Sequence, residues 1–172
     1  MDRTVNPIHN FAWENEVSME LFDLLKPEAV RVITAASSKK RLLQDVSEIA
    51  NISYGFEQSL TLDALVERES LGPTGVGNGV ALPHARLSDA NCVCGTFVLL
   101  EKPVDFGAAD RQPVDIVFSL FAPENAGVEH LKALALVSRT LRDNGVCSKL
   151  RANTDAGTLY TILTEAYRTQ AA

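Results

Sequence analysis

Apolar positions along this 172-residue chain recur at two spacings, and the switches between them predict a sheet covered by helices. The helical period is clearest at Leu42, Leu43, Val46, Ile49 and Ala50, behind the cap oxygens of Ser37 and Ser38. A second helix is expected from a Thr61 cap through Leu62, Leu65 and Val66 to about Leu71, where Gly72-Pro73 stops it. A third begins near Asn125, with Leu131, Leu134, Ala135, Ser138 and Leu141 on one stripe, and ends at Asn144-Gly145. A short helix over 146–151 follows. The last starts at Thr154 or Asp155 and turns Leu159, Ile162, Leu163 and Ala166 inward. Strand patterns occupy 29–35, 93–100 and 114–121, and Pro103 with residues 105–109 marks the bend between the last two. Before them, Met19–Leu25 makes a helical turn, with Leu21, Leu24 and Leu25 on one side, that Pro27 closes. Strands mixed with helices over this length predict one sheet with helices on both faces, an α/β/α three-layer sandwich.

Residues 1–18 show no sustained period. They are expected to form a flexible arm, or a strand-like tail laid on the body that Phe11 and Trp13 could dock, ahead of one domain over 19–172. An apolar share of 46% and a charged share of 22% suit a globular domain of this size. A net charge of -6 argues against a nucleic-acid partner, which needs a basic footprint. No apolar run approaches the roughly 20 residues of a membrane span. No basic stretch leads an apolar one at the N-terminus, so neither membrane insertion nor a secretory signal is expected. Three cysteines, Cys92, Cys94 and Cys147, suit reduced thiols in a cytoplasmic protein. Cys92 and Cys94 are expected on one face of a strand, and no further ligands stand near them at metal-site spacing. Lys39, Lys40 and Arg41 fall in the first turn of their helix, against the dipole. They read as a solvated face or as a docking patch for an acidic partner.

The candidate chemistry begins at Thr74-Gly75-Val76-Gly77-Asn78-Gly79. Its spacing is neither a dinucleotide fingerprint nor a P-loop, because it leads into a strand and no Gly-Lys-Ser/Thr follows. Alternate glycines free backbone N–H groups to approach a ligand, or supply positive-φ positions in a tight loop. The short strand Val80-Ala81-Leu82 then ends at Pro83-His84. A histidine there can be a structural residue, or a ring nitrogen that attacks phosphorus. Arg68 and Arg86 stand near in sequence to balance added negative charge. His130 falls in a first helical turn, where N–H groups favour anions. The bland alternatives are an ion-paired Glu67-Arg68-Glu69 run and a helix-start His130.

The whole run from Thr74 to His84 resembles the T-G-(I/V)-G-x-G-(I/V)-A-(I/L)-P-H signature of type-2 IIA domains of the phosphoenolpyruvate-dependent phosphotransferase system. Arg68 in its Leu-x-x-Arg-Glu context, Gln112-Pro113-Val114-Asp115 and His130-Leu131 extend the resemblance over roughly residues 20 to 168. It is greatest to the nitrogen-related branch. The resemblance implies a mannitol-type IIA fold built on a mixed sheet. It implies phosphorylation of His84 on Nε2 by an HPr-like phosphohistidine carrier, with His130 and Arg68 steadying the phosphoryl group and no cofactor or metal. It further implies that phosphorylation state sets which partners are bound, typically potassium transporters or sensor kinases. One departure is local: nitrogen-type members often carry Gly-Lys after the histidine, where Ala85-Arg86 stands here. Two other functions stay open on sequence. One is a fructose- or mannitol-class IIA that passes the group to a IIB domain. The other is an interaction module without phosphotransfer.

Overall fold

The computed structural model describes residues 18–170, with side chains through residue 166. The expected arm over 1–18 therefore lies outside the described residues except for Ser18. In chain order the elements are α1 (Leu21–Leu24), β1 (Leu25–Ile33), α2 (Lys39–Tyr54), α3 (Gln58–Ser70), β2 (Gly75–Gly77), β3 (Val80–Ala81) and β4 (His84–Leu87). They continue with β5 (Cys94–Val104), β6 (Val114–Pro123), α4 (Val128–Leu141), α5 (Asn144–Arg151) and α6 (Ala156–Gln170).

The six strands form one mixed sheet in the order β1-β5-β6-β3-β2, with β4 also paired to β6. β1 runs parallel to β5, β5 antiparallel to β6, and both β3 and β4 parallel to β6. Residues Cys94–Leu100 of β5 and Ile116–Ala122 of β6 are buried without interruption. Burial of consecutive strand residues means that both faces of the sheet are covered, as the three-layer expectation requires. Phe97, Phe106, Phe118, Phe121 and Ile116 are the large side chains that fill these layers.

β3 and β4 lie end to end on the same edge of β6: β3 pairs with Ile116 and Val117, β4 with Leu120 to Pro123. They are one strand interrupted at Leu82-Pro83. Pro83 has no N–H to give, while its carbonyl accepts from Leu120 N at 3.0 Å. Leu82 N–H turns away to the carbonyl of Thr74 (2.9 Å). His84 thus follows the end of β3, as expected, and also begins a second strand, β4. The second strand, which the sequence reading did not include, fixes the histidine backbone on the sheet.

Several other boundaries move for identifiable reasons. Pro27 sits inside β1, at the register shift between Leu25 and Val30, where its missing N–H costs no ladder bond. The carboxylate of Glu57, not Thr61, caps α3, accepting from Ser59 N (3.3 Å) and Leu60 N (2.7 Å). Thr61 is buried and donates its hydroxyl to the Glu57 carbonyl at 2.8 Å. Asp143 caps α5 by accepting from Gly145 N at 2.8 Å, so Asn144-Gly145 opens that helix. In α4 the inward face is His130, Ala133, Leu136, Val137, Thr140 and Leu141; the expected Leu131 is 66% exposed and Ala135 is exposed. Apolar side chains run almost all round this helix, and its true stripe includes two polar residues. Cys92 is exposed and precedes β5, whereas Cys94 is buried within it, so the two share no strand face.

Candidate functional site

The C-terminal end of α3 packs beside β4 and brings Arg68 onto His84. Arg68 donates its Nε–H to His84 Nε2 at 3.1 Å and a second N–H to the carbonyl of Gly72 at 3.0 Å. His84 Nδ1 lies 2.9 Å from the carbonyl oxygen of Leu82. A carbonyl only accepts and a guanidinium only donates, so the two contacts together fix the tautomer. Nδ1 carries the proton and Nε2 presents its lone pair. The interrupted strand creates this arrangement, because the break at Leu82-Pro83 leaves the Leu82 carbonyl available to the ring two residues on. Burial of the half-buried imidazole, reinforced by the Arg68 charge, holds His84 below its ordinary value of 6.5. It is a neutral base near neutral pH.

His130 is the third residue of α4, and the helix buries it to 5% exposure. Its ring centroid lies 5.6 Å from that of His84 at an interplanar angle of 53°. Its Nδ1 is buried without a hydrogen-bond partner among the described residues. Burial, then the nearby His84 and Arg86, lower its pKa as well. No side chain caps the start of α4 at Gly127, which leaves first-turn N–H groups available to an anion. A cavity of about 460 Å³ opens between these elements, lined by Arg68, His84, Arg86 and His130 together with Leu71 and Leu131. Leu71 is 80% exposed at its rim, so the approach to the histidines is apolar and the floor is cationic and imidazole.

The glycine segment is built differently. Gly77 pairs with Val80, and Asn78 (φ 56) and Gly79 (φ 78) form the two-residue turn between β2 and β3. Two consecutive positive φ angles are the type I′ hairpin geometry, which Asn-Gly favours. The N–H of Asn78 donates to Asp110 Oδ2 at 2.9 Å. Its carbonyl accepts from Arg151, which also clamps both oxygens of Asp115 at 2.8 Å. Thr74 gives its N–H (2.9 Å) and hydroxyl (2.5 Å) to the Glu69 carboxylate. Thr74, Gly75, Gly77, Asn78 and Gly79 are not among the residues lining the cavity.

Three residues acquire roles that the sequence did not suggest. Glu69, whose side chain is 7% exposed, joins Thr74 to Lys39, its Oε1 being 2.5 Å from Lys39 Nζ. Lys39 also donates to the carbonyl of Phe106 at 2.9 Å, so the first residue of the basic run faces inward. The only sequence signal for Glu69 is its place beside Arg68. Arg86, expected as a charge near the phosphoryl group, donates one guanidinium N–H group to the carbonyls of Glu124 (3.1 Å) and Ala126. No group of three or more metal-ligating side chains occurs among the described residues, and no described helix is long and apolar enough to cross a membrane.

Comparison with known proteins places the chain in a family. A nitrogen regulatory protein of Bradyrhizobium diazoefficiens is 44% identical over 145 residues, covering 84% of this chain and 95% of that protein. The crystal structure of nitrogen regulatory protein IIA-Ntr from Neisseria meningitidis superposes with a TM-score of 0.75 at 31% identity, over 83% of this chain and 97% of that one. Mannitol IIA of Escherichia coli shares the fold, with a TM-score of 0.64 at 23% identity, over 77% and 95% of the two chains. The profile of the family described as phosphoenolpyruvate-dependent sugar phosphotransferase system, EIIA 2, matches residues 23–166. This chain, matched over residues 23–166 and 44% identical to a nitrogen regulatory protein, belongs to the EIIA type-2 family of the phosphotransferase system.

Proposed function

We propose that the protein is a phosphocarrier and regulator of the nitrogen branch, with His84 as the residue that takes the phosphoryl group. The observation that carries this reading is the lone pair of His84 Nε2, held toward the cavity by the Leu82 carbonyl behind and Arg68 in front. In the proposed step, Nε2 attacks the phosphorus of a phosphohistidine on an HPr-like carrier. The new N–P bond forms as the donor N–P bond breaks, and the donor imidazole leaves with its electron pair. Arg68 shifts its donors from Nε2 to the phosphoryl oxygens, and His130 and the first-turn N–H groups of α4 face the same charge. Each charge-assisted hydrogen bond contributes roughly 1.5–3 kcal/mol. Thr74 and the glycines act through the scaffold, by fixing the hairpin next to the strand that carries His84.

Phosphorylation state then selects partners, for which a potassium transporter or a sensor kinase is the proposal carried from the resemblance. Incubation with phosphoenolpyruvate, enzyme I and the nitrogen-type HPr-like protein should leave an acid-labile phosphate on the wild type and none on His84→Ala. Labelling that survives the substitution would refute the assignment. Identity of 44% to a nitrogen regulatory protein favours this branch over a sugar-specific IIA. Rapid transfer from the phosphorylated chain to a fructose- or mannitol-class IIB domain would reverse that preference.

A further inference from the structure

We infer that Arg86 is a positioning residue: it straps the segment ahead of α4 to β4 and so sets where His130 stands against His84. The inference rests on the reading of His84 as phosphoryl acceptor. Arg86 lies two residues after His84, and residues at that spacing share one face of a strand. Its guanidinium crosses to the carbonyls of Glu124 and Ala126, between the end of β6 at Pro123 and the start of α4 at Val128. The segment is short and turns sharply. Ala126 N–H closes on the Pro123 carbonyl at 3.0 Å, and Gly127 follows at the helix start with no side-chain cap. Four residues after Ala126 comes His130. The strap therefore ties together, within a few residues on either side, the strand bearing one imidazole and the helix bearing the other.

The arrangement changes the meaning of the positive charge at this position. A guanidinium committed to two carbonyls acts first on the placement of α4, and its charge reaches the histidines from that fixed point. Both bonds leave one terminal guanidinium nitrogen, whose two hydrogens reach the two carbonyls.

The test compares Arg86→Met and Arg86→Lys with wild type in the full chain. Phosphoramidate serves as a small phosphoryl donor that needs no docking surface, and backbone amide exchange is followed at Ala126 and Leu131. For Arg86→Met, uptake at saturating phosphoramidate should fall about tenfold, with half-saturation within about twofold, part of what the two lost charge-assisted hydrogen bonds hold. Exchange at Ala126 and Leu131 should quicken by about tenfold while exchange in β5 and β6 stays as in wild type. Arg86→Lys should recover part of both changes. Unchanged exchange at those two amides overturns the strap. A loss of uptake confined to the half-saturation concentration also overturns it, since that marks a charge acting on the donor. If the wild type takes up no phosphoryl group from phosphoramidate or from the carrier, the reading of His84 fails, and the exchange result alone decides the strap.

Discussion

Arg68 and His84 meet nitrogen to nitrogen, with the guanidinium Nε–H on the imidazole Nε2 at 3.1 Å. A cation resting on the lone pair of the proposed acceptor atom does two things. It opposes protonation of the ring, and it already stands where three phosphoryl oxygens would arrive. Arg68→Ala should slow phosphoryl uptake by about ten- to a hundredfold, the scale of one charge-assisted hydrogen bond. It should also raise the titration midpoint of His84 followed by imidazole NMR. Arg68→Lys should recover little of the rate, because an ammonium cannot hold both Nε2 and the Gly72 carbonyl in one plane. Wild-type rates in Arg68→Ala would show that the contact is incidental.

Acidification should destabilise the fold through the same two histidines. Both titrate below 6.5 because burial disfavours the imidazolium. Between 6.5 and those lowered values the unfolded chain binds more protons than the folded one. Stability contributed by the neutral rings is therefore complete above that window and lost as pH falls through it. The melting temperature of wild type should drop more steeply below pH 6.5 than that of a His84→Asn/His130→Asn double variant. Parallel curves would contradict the burial effect.

Gly79→Ala should cost about 1–3 kcal/mol in urea denaturation, because it combines a left-handed backbone with overpacking. An added Cβ would lie 2.6 Å from an Arg151 guanidinium nitrogen and 2.9 Å from Asp115 Oδ1 at φ +78. Phosphoryl uptake should persist in the fraction that remains folded. Full stability with lost uptake would instead place the hairpin amides on the phosphoryl group.

Glu69→Gln should cost about 2–4 kcal/mol, measured the same way, since it leaves the partly buried Lys39 ammonium without its counter-charge. Thr74 also loses a charged acceptor for its N–H and hydroxyl. A change below about 0.5 kcal/mol, the range of ordinary surface substitutions, would show that solvent replaces the pair.

The sequence carried the architecture well where one element's own residues decide it. α2 starts behind Ser38, whose hydroxyl accepts from Arg41 N, and its apolar period lies inward as expected. The continuous apolar runs at β5 and β6 are the buried centre of the sheet. His84, Arg68 and His130 were legible through one long motif and its spacing to two outlying residues, and they do share a cavity. What escaped were relations set by partners far along the chain. Asn78 bonds Asp110, 32 residues on, and Arg151 reaches back 36 residues to Asp115, so the sequence left the turn glycines open between a ligand loop and a tight positive-φ turn. The phase of α4 was hidden because its buried face includes His130 and Thr140, which an apolar count leaves out.

The bond from His84 Nδ1–H to the Leu82 carbonyl has a consequence for how long a phosphoryl group would stay. Once Nε2 is phosphorylated, the carbonyl still holds the proton on Nδ1. The ring is then a phosphoimidazolium, and its leaving group is a neutral imidazole. Phosphorus departs readily from such a partner, and the cation waiting at Arg68 lowers the charge that any acceptor must meet. On the proposed reading, the strand break before His84 would favour a high-energy, quickly exchanged modification over a durable one. The state of the protein would follow the current supply of phosphoryl groups and would store little memory of past supply.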